Sequence, residues 1–167
     1  GQTRNGKITF EQYIQAAGFD SILQAANRHL LPMSDNQFQL YRQTNAVGKQ
    51  TNTFLDLEVL DISTGKRRPV GNLSGGESFK ASLSLALGLS DTIAENRGGI
   101  QMDALFVDEG FGTLDSKSLE ETKDALLSMS GENKLVGIIS HRDELMDIPQ
   151  KLRVTKGRGG SQIQMEL

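Results

Sequence analysis

Ser74-Gly75-Gly76-Glu77 sets a hydroxyl, two bare backbone units and a carboxylate in a row, immediately before a stretch of helical periodicity. One reading is a capping box, in which Ser74 and Glu77 each satisfy the other's orphan backbone donor. That reading leaves the glycines unexplained, because Gly early in a helix costs on the order of 1 kcal/mol relative to Ala. They make sense where a bulky anion sits against bare backbone, since a helix N-terminus offers unpaired N–H groups and about half a positive charge.

Asp103-Ala104-Leu105-Phe106-Val107-Asp108-Glu109 is an apolar run too short for a helix, delivering two adjacent acids at its carboxyl end. It predicts a buried parallel strand, and ligands of open α/β sheets bind at that edge. Asp108 fits the metal side, because Mg²⁺ takes one or two carboxylates together with phosphate oxygens and water. Glu109, pointing the other way, fits a base facing an attacking water. The bland alternative is a pair of solvated acids closing a strand. Gly110-Phe111-Gly112-Thr113-Leu114-Asp115 describes a shaped turn, and Asp115 is either the N-cap of the next helix alone or a nucleotide contact as well. His141 follows the apolar run Val136-Gly137-Ile138-Ile139-Ser140 and shares a sheet edge with Asp108 if the two strands are neighbours. There it is either structural or a side chain reaching a phosphate.

A missing string decides as much. A phosphate-cradling loop requires G-x-x-x-x-G-K-[ST]. The nearest candidate, Gln43-Thr44-Asn45-Ala46-Val47-Gly48-Lys49-Gln50, lacks both the first Gly and the final hydroxyl, and Gly6-Lys7-Ile8 and Gly65-Lys66-Arg67 fail similarly. The chain carries metal, base and sensor candidates without the loop that grips a nucleotide, which predicts half of an active unit. Its opening, Gly1-Gln2-Thr3-Arg4 without Met, suits a processed product or, in better keeping with the missing loop, a piece of something longer.

The elements that must position these residues follow from periodicity. Residues 7–31 predict two helical stretches broken near Gly18, the second stopped by Pro32. Leu55, Leu57 and Val59 alternate with Asp56 and Glu58, a half-buried strand within 51–62 whose turn Ser63-Thr64-Gly65-Lys66 leads a hairpin on toward Val70. Phe79, Leu83, Ala86, Leu87 and Ile93 predict an amphipathic helix after Gly76. Asp115 or Ser116 caps a helix with the face Leu119, Thr122, Leu126, Met129, stopped by Gly131. Lys134–Ser140 is a second buried strand, and 152–156 and 162–167 are closing strands joined by a glycine turn. Strands alternating with helices predict an α/β fold, with the first third as an additional lobe.

Composition limits the function classes. With 18 basic and 21 acidic groups the charge is −3, so no global positive field draws this chain to nucleic acid. The absence of Cys excludes disulfides, thiolate metal sites and a Cys nucleophile, and leaves His29 and His141 as the imidazoles. No apolar run approaches a membrane span and no signal peptide opens the chain, so a cytoplasmic location without membrane contact is expected.

In their order, the signature Leu73-Ser74-Gly75-Gly76-Glu77, the Walker B string Leu105-Phe106-Val107-Asp108-Glu109, the D-loop Thr113-Leu114-Asp115 and the switch His141 resemble the ABC ATPase superfamily. Membrane transporters usually continue Walker B with Asp-Glu-Pro and follow the signature with a Gln- and Arg-rich helix. Here Gly110 takes the Pro position and the helix reads Ser78-Phe79-Lys80-Ala81-Ser82-Leu83. Chromosome-condensing relatives usually carry acidic residues where Phe111-Gly112-Thr113 stands. The run Asp108 to Asp115 is instead similar to SbcC-type ATPases of DNA break repair, and Thr9-Phe10-Glu11-Gln12-Tyr13 looks like that family's segment just after its long coiled coil.

The resemblance implies that residues 1–167 form the C-terminal lobe of a P-loop ABC-type head, a mostly parallel sheet flanked by helices. Within it, 1–50 would be a helical segment following the coiled coil, 51–72 a β-hairpin, and 73–167 the signature, Walker B, D-loop and switch region. It further implies ATP and Mg²⁺ as cofactors and an N-terminal lobe bearing Walker A. A second head would form a dimer with this one, each nucleotide held by Asp108 and Glu109 of one head and by Ser74, Gly75 and Gly76 of the other. An SbcD-like nuclease acting on DNA ends would be the partner. ATP hydrolysis would require the completing lobe. Lys66-Arg67-Arg68 with Lys151, Arg153, Lys156 and Arg158 are candidate DNA phosphate contacts or simply solvated charges. A transporter nucleotide-binding half and a noncatalytic regulatory fragment are the alternatives. The departures after the signature and Walker B weigh against the first, and Glu109 beside Asp108 weighs against the second.

Overall fold

A computed structural model describes residues 10–43, 55–96, 104–130, 135–157 and 159–166. The loop-like strings around Lys7 and Lys49, the expected helix stop at Gly131, Lys134 and Arg158 lie outside the described residues.

Helix α1 (Phe10–Met33) is continuous. The expected break at Gly18 does not occur: one glycine costs about 1 kcal/mol in a helix, too little to interrupt a helix whose Leu23, Ala26, Leu30 and Met33 form one buried face. Pro32 falls inside the last turn. The stop comes from Asp35 and Asn36, both left-handed, with the Asn36 N–H returning 2.8 Å to the carbonyl of Leu31.

Strand β1 (Phe38–Arg42) lies in a stretch read as helical, and it pairs antiparallel with β2 (Leu57–Asp61), which pairs antiparallel with β3 (Arg67–Pro69). Phe38 and Leu40 face inward with Val59, and with Leu23, Leu30 and Ala81 they form one apolar cluster. The side-chain amide of Asn27 both donates to the carbonyl and accepts from the N–H of Leu40, at 2.8 Å each, occupying the outer edge of β1.

Helix α2 (Gly75–Asn96) runs between the two cores. Leu83 and Leu87 enter a second cluster with Met33, Val107, Phe111, Leu114, Leu119 and Leu126, whereas Ala86, expected on the buried face, is exposed. Where α2 crosses α1, a Cβ on Gly88 would stand 2.4 Å from the backbone nitrogen of Ala26. Gly88→Ala should therefore separate the helices and destabilise the fold by about 1–3 kcal/mol, read as a lowered denaturation midpoint.

Strand β4 (Ala104–Asp108), helix α3 (Ser116–Met129) and strand β5 (Leu135–Ile139) form a parallel βαβ unit with Asp108 opposite Ile139. Leu119, Thr122 and Leu126 of α3 are buried. The expected two-sided burial of the strands is not observed. Val107 is buried on the helix side, but Phe106, Leu135 and Ile139 are 64%, 59% and 52% exposed. Strands β6 (Lys151–Gly157) and β7 (Gly160–Glu166) form a terminal hairpin, as read from the sequence, whose paired Leu152 and Met165, and Val154 and Ile163, are likewise exposed. Among the described residues, no helix is long and apolar enough to cross a membrane.

Candidate functional site

The capping box forms as read. The Ser74 N–H donates to Glu77 Oε2 at 2.7 Å and the Glu77 N–H donates to Ser74 Oγ at 3.2 Å, with α2 starting at Gly75. Partial burial pushes the Glu77 carboxyl up, but the Ser74 N–H and the Arg68 guanidinium outweigh it and hold the group below its ordinary value. Arg68 donates 2.7 Å bonds to both Glu77 Oε1 and the Asn72 carbonyl, bracing the turn from β3.

The glycines have a packing role inside the chain. A Cβ on Gly75 would lie 3.3 Å from the Thr113 side chain, and one on Gly76 would lie 3.2 Å from the Thr113 carbonyl. The turn at 111–113 therefore rests against the start of α2. Gly110 is required twice: its φ is +95°, and a Cβ there would stand 2.3 Å from the Phe79 ring, which packs edge-on against the buried Phe111. Asp115 caps α3, accepting from the Ser118 N–H at 2.9 Å and from its hydroxyl at 3.2 Å. Ser74, Gly75, Gly76, Glu77, Thr113 and Asp115 line one cleft.

A second group gathers at the carboxyl edge of β4 and β5. Glu109 leaves the strand with φ +57°, while its N–H still bonds the Ile139 carbonyl at 2.9 Å. That turn separates its side chain from Asp108 and sets it beside His141, whose Nδ1 lies 3.1 Å from Glu109 Oε2. Asp108, Glu109 and His141 are all exposed. Among the described residues, no group of three or more His, Cys, Asp or Glu side chains forms a self-sufficient metal site. A lone carboxylate at a strand end fits a hard cation that takes its other oxygens from phosphate and water. Among the described residues, no hydrogen bond or ion pair joins this group to the Ser74–Glu77 turn.

Two residues escaped the sequence reading. Arg142 reaches from the loop after β5, next to His141, to the carbonyls of Phe111 and Leu114, at 3.5 and 3.4 Å, tying the two loops. Lys80 is buried beside the cleft; its spacing of three and seven residues before Leu83 and Leu87 puts it on the buried face of α2, a signal the sequence carries. The basic candidates for DNA largely have partners within the chain. Arg67 lies 3.4 Å from Glu58 and over the Tyr41 ring, Arg68 holds Glu77, and Lys151 and Arg153 both reach Glu166.

The arrangement of these elements is that of SMC ATPase heads. The chain matches a solved structure described as "Structural biochemistry of ATP-driven dimerization and DNA stimulated activation of SMC ATPases" with a TM-score of 0.70 at 15% identity, over 92% of this chain and 88% of that one. It matches the SMC head domain from Thermotoga maritima with a TM-score of 0.61 at 17% identity, over 93% and 51%. These likenesses are of fold. Residues 46–127 match the family described as "SbcC/RAD50-like, Walker B motif". Two relatives, each named as the SbcC subunit of the SbcCD nuclease and from Staphylococcus aureus strains MSSA476 and JH9, are 43% identical over 155 and 151 residues, 92% and 90% of this chain. The chain belongs to the SbcC/RAD50-like family and carries its Walker B region. It spans 15% of the length of those relatives.

Proposed function

We propose that this chain is the C-terminal lobe of a bipartite ATPase head. The observation that carries the reading is the bare apolar face formed by Phe106, Leu135 and Ile139 on the strand pair whose carboxyl edge bears Asp108 and Glu109. Parallel strands are covered on both faces in stable α/β folds, and the phosphate loop missing from this sequence belongs to the lobe that would cover this one. Residues 1–50 would then lead from a coiled coil, 51–72 form the hairpin, and 73–167 bear the nucleotide-handling residues.

Within the completed head, Asp108 would hold Mg²⁺, which supplies neutralising charge to phosphate oxygens when bound. Glu109 would accept a proton from, or orient, the attacking water, with His141 fixing its carboxylate. Among the described residues, the Ser74–Glu77 turn has no bond to that group, which favours action on a nucleotide held by a second head, with Asp115 alongside. The relatives' name, that of a nuclease component, supports an SbcD-like nuclease partner and DNA ends as the eventual substrate. Co-expression with a lobe bearing a Walker A loop tests the reading: a 1:1 complex that hydrolyses ATP is expected, against none from the chain alone. Failure of the lobes to associate would overturn it.

A further inference from the structure

The Lys80 side chain is only 7% exposed. From one turn past Glu77 in α2, its Nζ donates to Ser118 Oγ at 2.9 Å and lies 3.3 Å from Glu121 Oε2. Ser118 in turn gives both its backbone N–H and its hydroxyl to Asp115. Lys117 continues the chain of charges, meeting Glu121 at 3.4 Å and Asp35, just past the end of α1, at 2.8 Å. Lys80 also lines the cleft formed by Ser74, Gly75, Gly76 and Asp115.

A spacer between two helices needs no charge, and burying an ammonium is costly unless the charge is matched. This cleft presents two carboxylates, Glu77 and Asp115, to whatever enters it. Arg68 matches Glu77. Asp115 is held below its ordinary value first by the Ser118 N–H, against the opposing effect of burial, with the Ser118 hydroxyl and the Lys80 charge adding to it.

We propose that Lys80 is a positioning residue of this cleft: its ammonium ties the Ser74–Glu77 helix to the Asp115-capped helix through Ser118 and offsets the Asp115 carboxylate, as Arg68 does that of Glu77, so that the cleft accepts the polyphosphate of a nucleotide held by a second head. This rests on the reading that the Ser74–Glu77 turn serves such a nucleotide. In that role the two elements meet the polyphosphate as one body, and loss of the ammonium weakens pairing of heads without touching the grip of each head on its own nucleotide.

The test compares Lys80→Met, Lys80→Arg, Ser118→Ala and Ser74→Arg in the intact protein, reading ATP affinity of the unpaired head, ATP-dependent pairing at several salt concentrations, and melting temperature. Lys80→Met should bind ATP as wild type, pair about tenfold or more weakly, and lose part of the salt sensitivity of pairing. Lys80→Arg should recover most of the pairing. Ser118→Ala, which removes the acceptor and spares the helix, should weaken pairing in the same direction, and the Lys80→Met/Ser118→Ala double variant should be no worse than Lys80→Met. Wild-type pairing by Lys80→Met overturns the assignment. So does equal loss in Lys80→Arg and Lys80→Met alongside an equal fall in melting temperature, which would make Lys80 a spacer. If Ser74→Arg itself pairs at wild-type strength, the underlying reading of the turn has failed. If Ser74→Arg abolishes pairing and Lys80→Met does not, only the Lys80 assignment falls.

Discussion

Glu109→Gln should lower ATP turnover in the completed head by roughly two or more orders of magnitude while leaving nucleotide binding in place. The substitution keeps the size of the side chain and its capacity to accept a hydrogen bond on one atom, but it removes the basic oxygen. The backbone that aims it, with φ +57° and an N–H bonded to Ile139, does not depend on the charge. Asp108, on the strand itself, is untouched and remains available for its proposed role as metal ligand. Binding and pairing of heads should therefore persist and even lengthen, because the step that ends them is slowed. Single-turnover hydrolysis measured beside equilibrium ATP binding separates the two, and near wild-type turnover would remove Glu109 from the role of base.

Ser74→Arg should do the reverse, leaving ATP binding by the head intact and abolishing ATP-dependent pairing. Ser74 is exposed at the cleft, and among the described residues its hydroxyl is engaged only by the Glu77 N–H. Replacing it removes a helix cap contributing roughly 0.5–2 kcal/mol, a tolerable loss for a helix with two apolar faces. The added guanidinium fills the space where a partner's phosphate would enter. Chemical crosslinking or light scattering with and without ATP reads the outcome, and ATP-induced dimers at wild-type strength would remove the turn from any role across an interface.

The two groups of site residues were legible in the sequence because their geometry is local. A capping box, an N-cap and a strand ending in acids are each specified by neighbours within a few residues, and Ser74 with Glu77, Asp115 with Ser118, and Glu109 with Ile139 follow that logic. That His141 shares a sheet edge with Asp108 followed once β4 and β5 were taken as parallel neighbours, whereas its contact with Glu109 depends on the turn at Glu109 and was not legible. What was not legible depends on packing between distant elements. Strand β1 has two inward side chains, Phe38 and Leu40, too few to stand out as a strand, and it is held by β2 and by Asn27. The uninterrupted α1 reflects burial against α2, which overrides one glycine. The sequence reading explains Gly75 and Gly76 by an incoming anion, yet Thr113 already crowds both positions from within the chain, and Gly110, expected in a shaped turn, is also crowded by Phe79. The exposed face of β4 and β5 was the least foreseeable, since an apolar run reads the same whether its cover comes from this chain or another.

Everything proposed for this chain turns on the missing phosphate loop. Most of the grip on a nucleotide in such sites comes from successive backbone N–H groups and a Lys around the β-phosphate, and no string of this sequence supplies that nest. Titration calorimetry of Mg²⁺ and ATP into this chain alone, and again after addition of a lobe carrying a Walker A loop, is the most direct measurement. Little or no heat of binding is expected from the chain alone, and a saturable, Mg²⁺-dependent isotherm once the second lobe is present. A saturable, Mg²⁺-dependent affinity of about micromolar strength (about −8 kcal/mol) in the chain alone would contradict the half-site reading.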